Sequence, residues 1–255
     1  MFIRPKIDVL PATQKALWPM LKEVPKDFVL YGGTAVALWF GHRISIDFDF
    51  FSTQKDLNVA KTTDELSFIK KYMVVKGCRD DKVHGSQVNY GLKIAEGPVV
   101  NLSFIRHDNF ISCSFISPAI AIDNHISIAS PFDLMATKIN ALKDRRNVKD
   151  LIDISTLIAN GVSLASGFAG AMILRKKTLK DELLSYKILA EKMSYPEFLT
   201  SVFSKDNYLM DNENEILSSV IANITKEAKG IDVDKLAQMR IKNTRYLNHD
   251  EEIEL

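Results

Sequence analysis

The segment "YGGTAVALWFGHRISIDFDFF", residues 31–51, limits the possible folds more than any other part of the chain. It sets two acids, Asp47 and Asp49, between isoleucine and phenylalanine side chains, where an unpaired carboxylate is costly to bury. Because alternate side chains of a β-strand share a face, the two carboxylates project together, about 6.5 to 7 Å apart along the strand. We therefore expect both acids to bind a ligand, and a hard cation such as Mg²⁺ or Mn²⁺ suits them.

The same segment predicts a strand, a helix and a second strand in succession. Residues 28–31 favour a short buried strand, Gly32 and Gly33 a turn, residues 34–41 a compact helix that ends at glycine, and residues 44–51 a returning strand. On the returning strand, apolar side chains alternate with the acids, and we expect them to anchor it in the core: Ile44, Ile46, Phe48 and Phe50.

The glycine pair at the start of the predicted helix has two interpretations. Without a Cβ, Gly32 and Gly33 let backbone N–H groups approach a phosphate, which a helix N-terminus also attracts, and Thr34 adds a hydroxyl there. Taken alone, such a pair is more often an ordinary tight turn. A glycine turn and two acids within one strand, helix, strand unit favour a nucleotide site.

The remaining pattern changes character near residue 130. Strand and helix signals alternate before that point, and helical spacing dominates after Pro131, so we predict domains at 1–130 and 131–255. The elements expected in the first domain are helices over 12–24 and 54–72, two strands joined by a turn at 96–98, and further strands at 110–116 and 125–129.

Composition indicates a cytoplasmic protein without a membrane span. The chain has 255 residues, 46% of them hydrophobic, and a formal net charge of +1. Its longest uncharged stretch, residues 28–41, is too short to cross a bilayer, and the charged, proline-containing N-terminus does not resemble a signal peptide. Cys78 and Cys113 form no CxxC pair, so we expect them to be packed, reduced thiols.

Two glycines followed by thirteen residues and Asp-x-Asp resemble the signature of the polymerase-β-like nucleotidyltransferase superfamily. Together with "DLMATKINALKDRRNVKDLID", the segment is similar more narrowly to the AbiEii/AbiGii toxin nucleotidyltransferases. The resemblance implies an α+β fold, with a small mixed β-sheet, flanking helices and a mostly helical C-terminal half that completes the active-site cleft. It also implies Mg²⁺-dependent transfer of a nucleoside monophosphate from an NTP, in a toxin with a cognate antitoxin, onto an acceptor that can be tRNA.

The resemblance also assigns roles to individual residues. Asp47 and Asp49 match the metal-binding acids, Lys138 the catalytic lysine, Arg145 the motif arginine and Asp150 the acid after the basic residue. The histidine, arginine and serine that precede the acids in the family are matched by His42, Arg43 and Ser45. Arg43 can clamp a triphosphate or pair with one of the acids, and both interpretations remain open. On an unbroken helix, Lys138, Arg145, Lys149 and Asp153 share one face, and Asn147 offers a break.

One expected acid is missing. The superfamily carries a third carboxylate on a neighbouring strand, but the corresponding segment, "VVNLSFI", has Asn101 and Ser103 at its site-facing positions. Asparagine cannot take a proton near neutral pH, so either Asp150 and the metal activate the acceptor or the chain binds NTP without transferring it. A small-molecule acceptor such as an antibiotic is a third possibility. Residues 131–180, whose Lys and Arg exceed Asp by five, favour RNA.

Overall fold

The computed structural model describes residues 1–54, 56–81, 85–94, 96–106, 116–174, 179–204 and 213–237. The chain divides into two compact units, Met1–Leu134 and Met135–Leu255. Which functions the two units have stays a prediction. The strand expected at 110–116 and Cys113 lie almost wholly outside the described residues, as do several of the basic residues between 131 and 180. Within the described ranges, no helix is long and apolar enough to cross a membrane.

The first unit contains one mixed β-sheet, as expected. Its described strands are β1 (Phe2–Ile3), β2 (Val29–Tyr31), β3 (Asp47–Ser52), β4 (Met73–Asp81), β5 (Gly85–Leu92), β6 (Val100–Arg106), β7 (Ala119–Ala121) and β8 (Ser127–Ile128). They lie in the order β1-β7-β8-β2-β3-β6-β5-β4. β3 pairs antiparallel with β2 and parallel with β6, which places the strand that carries both acids inside the sheet.

Helices lie between the strands along the chain, and the described residues of the second unit are mostly helical. This confirms the predicted mostly helical C-terminal half for the described residues. The described α-helices are α1 (Ala12–Leu17), α2 (Gly32–Phe40), α3 (Val59–Asp64), α4 (Ser67–Tyr72), α5 (Pro131–Asp144), α6 (Val148–Ala159), α7 (Leu164–Leu174), α8 (Leu179–Met193), α9 (Pro196–Phe203) and α10 (Glu213–Ala228). In the second unit, the buried Tyr186 hydroxyl of α8 donates to Asn140 Oδ1 at 2.5 Å.

One face of the sheet is packed with aromatic rings. Phe104 on β6 lies 5.1 Å from Phe28, 5.2 Å from Phe50 and 6.1 Å from Tyr90, measured between ring centroids. Phe48 and Phe50 are fully buried, as predicted for the anchoring side chains of β3. The same expectation is wrong for Ile44 and Ile46, which are 64% and 55% exposed because β3 begins only at Asp47.

Two local predictions are corrected, and one strand was missed. The helix expected over 54–72 is two helices, because Glu23 from elsewhere in the chain caps the second through the Ser67 amide at 2.8 Å. The long strand β4 was not predicted: it lies at the sheet edge and is exposed on both faces, so its sequence lacks apolar alternation. For the same reason Cys78 on β4 is exposed rather than packed.

The edge hairpin β4–β5 is held to α3 by a polar cluster on the aromatic side of the sheet. Lys76 Nζ lies 2.7 and 2.6 Å from the two Asp64 carboxylate oxygens, and the Tyr90 hydroxyl donates to Asp64 at 2.8 Å. The hydrogen bond from Lys76 lowers the pKa of Asp64 below its ordinary 3.8. Burial raises the pKa of Tyr90 above its usual value. The cluster therefore needs Asp64 in its ionised form, which accepts the hydrogen bonds from Lys76 and Tyr90.

The Asp64 cluster predicts a pH-dependent contribution to stability. A carboxyl group whose pKa is lowered by folding stabilises the folded state above its ordinary value of 3.8 and loses that contribution as pH falls through the lower folded value. We expect Asp64→Asn to lower the urea midpoint at pH 6 and its difference from wild type to shrink progressively as the pH is lowered below 3.8. The exposed Asp27→Asn serves as the control. A constant difference between Asp64→Asn and wild type at all pH values would contradict this assignment.

Candidate active site

The pairing of β2 with β3 brings the glycine pair to the acids. Tyr31, the last residue of β2, lies opposite Asp49 in the antiparallel register, and α2 begins at the next residue, Gly32. Gly32 has a φ of +75°, and a Cβ added there would lie 2.6 Å from Asp49 Oδ2. Glycine is therefore required both for the backbone conformation and for the close approach of the carboxylate. Contrary to the expected turn, both glycines form the first residues of the helix itself.

Arg43 lies against the second glycine. A Cβ at Gly33 would lie 2.3 Å from Arg43 Nη2 and 3.1 Å from Ser45 Oγ, so the guanidinium and the hydroxyl both contact this part of the helix start. Arg43 is 9% exposed, and its Nη1 donates to the main-chain oxygen of Ile44 at 3.0 Å. A cation thus stands beside the N-terminal end of α2, where the helix dipole also favours an anion.

Thr34 connects the helix to the start of the acid-bearing strand. It is fully buried; its Oγ1 donates to the main-chain oxygen of Asp47 and lies 2.9 Å from Ser45 Oγ. These contacts hold the segment before β3 against α2. The hydroxyls expected to bind nucleotide therefore also position the first acid.

The neighbouring strand β6 presents the two residues that the sequence predicts at the site. Asn101 is in register with Asp47, and Ser103 with Asp49. Asn101 Nδ2 donates to Asp47 Oδ1 at 3.1 Å. An amide thus stands where a third carboxylate was expected, and it orients one oxygen of Asp47 without adding negative charge.

The exposed Asp47 and half-buried Asp49 are the residues that could hold a divalent cation. Mg²⁺ is commonly bound through one or two carboxylates, with water and substrate phosphates completing its coordination. Within the described residues no group of three or more His, Cys, Asp or Glu side chains forms a metal cluster. Two carboxylates fit such a shared coordination, in which a bound nucleotide would supply further ligands.

The second unit contains a buried ion cluster formed by the other predicted residues. Lys138 Nζ on α5 lies 2.9 Å from Asp150 Oδ1 and 2.6 Å from Asp153 Oδ2, both on α6. Arg145 Nε lies 3.0 Å from Asp150 Oδ2. Lys138, Asp150 and Asp153 are 6%, 1% and 0% exposed, whereas the Arg145 side chain is 65% exposed. Each carboxylate is therefore paired, as burial requires.

The unbroken helix considered for this region does not form. α5 ends at Asp144, and Asn147 caps α6 by accepting a hydrogen bond from the Lys149 amide at 2.8 Å. Lys149 is exposed in the first turn of α6. Asp153 is the residue to which sequence reasoning gave no role. Its spacing of three from Asp150 places both carboxylates on one helix face, and this was the available signal.

The structure thus gathers the predicted residues into one group in each unit. The first unit brings together Gly32, Gly33, Thr34, Arg43, Ser45, Asp47 and Asp49, and the second brings together Lys138, Arg145 and Asp150. The catalytic, nucleotide-binding and metal-binding roles of these residues remain predictions.

Comparisons with known proteins point to one family. A profile of the family described as nucleotidyl transferase AbiEii toxin, type IV TA system, matches residues 20–206. A candidate nucleotidyltransferase from H. pylori superposes with a TM-score of 0.54 at 20% identity, covering 93% of this chain and 97% of that one. The nucleotidyltransferase toxin MenT4 from Mycobacterium tuberculosis H37Rv superposes with a TM-score of 0.54 at 12% identity, covering 92% and 90%. At these identities the two structures support the fold alone. No curated protein matches the chain.

Two glycines with positive φ, one at the start of α2 and one just after its end, provide a matched test of the acid site. Gly32 begins the helix and Gly41, with a φ of +71°, caps its end. Alanine at either position adds about 1–2 kcal/mol of left-handed backbone strain. Only at Gly32 does the added methyl group displace the Asp49 carboxylate. We expect both variants to be destabilised in urea and only Gly32→Ala to weaken Mn²⁺ binding, measured by water proton relaxation.

Equal weakening of Mn²⁺ binding in Gly32→Ala and Gly41→Ala would show that Asp49 is not part of the cation site. A wild-type affinity in Gly32→Ala would show the same.

The buried ion cluster predicts a large cost for removing its lysine. Lys138→Met leaves the Asp150 and Asp153 carboxylates without that cation, and breaking a buried pair in this way typically costs about 3–5 kcal/mol. Chemical denaturation measures the loss. The exposed Lys192→Met is the matched control and should change stability by less than about 0.5 kcal/mol. Similar effects of both variants would contradict the structural role of Lys138.

Proposed function

Because this chain belongs to the AbiEii nucleotidyl transferase toxin family, we propose that it transfers a nucleoside monophosphate from an NTP to RNA, with tRNA the foremost acceptor. Membership supports a nucleotidyltransferase of a toxin–antitoxin system, and the MenT4 toxin shares the fold. The acceptor, the magnesium dependence and the cytoplasmic location are parts of the proposal. So is an antitoxin produced with the chain as its partner.

The observation that carries the proposal is the contact between the start of α2 and the acids of β3. The N-terminus of α2, a guanidinium and two carboxylates meet within one strand, helix, strand unit. Tyr31, the N-cap residue of α2, makes no side-chain capping bond, so its side chain does not compete for the first backbone N–H groups. This combination suits a triphosphate that brings a cation with it.

The proposed reaction is an in-line displacement at the α-phosphorus. The acceptor hydroxyl oxygen forms a bond to the α-phosphorus, the bond from that phosphorus to the oxygen bridging to the β-phosphorus breaks, and pyrophosphate leaves. Such reactions depend mainly on positioning and on neutralising charge. A Mg²⁺ ion bound by Asp47 and Asp49 would supply that neutralisation and polarise the phosphate oxygens.

Other residues of the first unit would bind the phosphates and position Asp47. The Gly32–Gly33 start of α2 and Arg43 would bind phosphate oxygens, while Thr34 and Ser45 hold the segment that leads to Asp47. Asn101 would orient Asp47 through its amide but cannot accept the hydroxyl proton. That proton would pass to a carboxylate or to solvent.

The ion cluster of the second unit would contribute through Lys138, Arg145 and Asp150. Lys138 and Asp150 are buried and paired, so their role in catalysis would depend on keeping the α5–α6 corner in one geometry. Arg145 is anchored to Asp150 while most of its side chain remains exposed, which suits a cation that contacts a phosphate. A direct proton-accepting role of Asp150 would require it to release these cations.

A second candidate function is NTP binding without transfer. The observation that favours it is Asn101 in register with Asp47, where the superfamily has a third acid. It predicts that Mg²⁺ and NTP raise the melting temperature by mass action although no label is transferred.

Transfer is tested by incubating the protein with each α-³²P-labelled NTP, Mg²⁺ and total tRNA. We expect label in RNA with wild type and a loss of at least about 100-fold for Asp47→Asn and Asp49→Asn, as for loss of a major charge-stabilising group. The exposed Asp27→Asn should retain full activity.

Two results would contradict the proposal. Label transfer that is unaffected in both aspartate variants would place the active site elsewhere. Wild type that transfers no label to RNA, while NTP and Mg²⁺ still raise its melting temperature, would support the binding function instead.

A further inference from the structure

The sheet face that carries the two acids continues past them across three more strands. Register places Asp49 beside Ser103 on β6, Ser103 beside Asn89 on β5, and Asn89 beside Gly77 on β4. One step further along the strands, Gln87 lies beside Arg79. We call this surface the polar shelf; it consists of Asn101, Ser103, Asn89, Gln87, Gly77 and Arg79.

The polar shelf is accessible to a ligand. Asn101, Asn89, Gly77 and Arg79 are exposed, and a Cβ built at Gly77 meets nothing within 4 Å. The opposite face of β5 and β6 is the buried aromatic core. The Asp64–Lys76–Tyr90 cluster also lies on that opposite face and holds the hairpin to α3. The shelf is therefore supported from behind and open in front.

The shape of the polar shelf favours a polymer. Small-molecule sites are concave and bury most of their ligand. This surface is instead a sheet face that extends sideways from the acids, with neighbouring strands about 4.8 Å apart. Asn89 lies two strands from Asp49, about 10 Å away, and β4 about 14 Å away. An acceptor with its reactive hydroxyl at the acids would extend over this surface.

The chemistry of the polar shelf favours RNA over protein. Protein interfaces have apolar, aromatic centres, whereas this face presents amides, a hydroxyl and a guanidinium, and the exposed Val75 lies at its end beside Gly91. Amide side chains both donate to and accept from base edges and 2′-hydroxyls, and arginine contacts phosphate.

We propose that the polar shelf binds the 3′-terminal single-stranded segment of the acceptor RNA and places its terminal hydroxyl at Asp47 and Asp49. This inference rests on the proposed function for the identity of the site. It adds which surface of the first unit binds the acceptor.

Gly77 and Cys78 provide a matched pair of variants. They are neighbours on β4, both exposed, and their side chains point to opposite faces of the sheet. Gly77 does not have a positive φ, and the space in front of it is open, so Gly77→Glu is compatible with the fold. Gly77→Glu puts a carboxylate on the polar shelf, and Cys78→Glu puts the same charge behind it. Asn89→Ala removes a shelf amide without adding charge.

The experiment measures RNA binding and transfer separately. Anisotropy of a fluorescent single-stranded RNA ending in a 3′-hydroxyl, without NTP, reports binding; label transfer reports the acceptor KM. We expect Gly77→Glu to weaken RNA binding and raise the acceptor KM at least tenfold, and Asn89→Ala to do so less. Cys78→Glu should match wild type, and the thermal shift with NTP and Mg²⁺ should stay unchanged in all three variants.

RNA binding by Gly77→Glu equal to that of wild type would overturn the inference, as would equal losses in Gly77→Glu and Cys78→Glu. Label that reaches only protein or small-molecule acceptors would also overturn it. Failure of transfer itself is distinguishable: if wild type moves no label but Gly77→Glu alone loses RNA binding, the polar shelf stands and the transfer proposal falls.

Discussion

The candidate active site depends on the antiparallel register between β2 and β3. This register sets Tyr31 opposite Asp49, and because α2 starts at the next residue, it also sets the helix N-terminus beside that carboxylate. A shift by one residue would turn Asp47 and Asp49 into the aromatic core and bring Phe48 and Phe50 to the surface. Burial of those two rings therefore holds both acids on the opposite face of the sheet.

Strand β3 has one buried aromatic face and one face that carries the two acids. Its buried face stacks Phe50 on Phe104, with ring centroids 5.2 Å apart, which fixes the backbone to the core. Its other face keeps Asp47 exposed and hydrogen-bonded to Asn101. Because position 101 is an amide rather than an acid, no third carboxylate at that position repels Asp47 and Asp49 on this face. For the same reason the strand offers no base there, which favours nucleotide binding without transfer unless another group takes the proton.

The second unit buries a cluster of charged side chains. Lys138 lies between two buried carboxylates, and Arg145 neutralises Asp150 from the solvent side. Buried ion groups often stabilise less than apolar packing would, but they allow few alternative arrangements, because any shift leaves a charge unpaired. We suggest that this cluster fixes the corner between α5 and α6, where Asn147 interrupts what would otherwise be one helix.

Much of this protein follows from local sequence. The strand, helix, strand unit, the helical second half and the shared face of Asp47 and Asp49 were predictable, since alternation and helical spacing are local patterns. The edge strand β4 was not, because a strand exposed on both faces has no apolar alternation to detect. The division of residues 54–72 into two helices was also hidden, since the cap at Ser67 comes from the distant Glu23.

The sequence by itself determined the motifs: two acids on one strand face, two glycines at the start of a helix, and a basic motif around Lys138, Arg145 and Asp150. Only the tertiary structure decided what these residues touch. It placed Asp49 against Gly32, gave Asp47 an amide partner from β6, and enclosed Lys138 between Asp150 and Asp153. Such contacts join residues far apart in the chain, so they depend on strand register and helix packing, which no local pattern specifies.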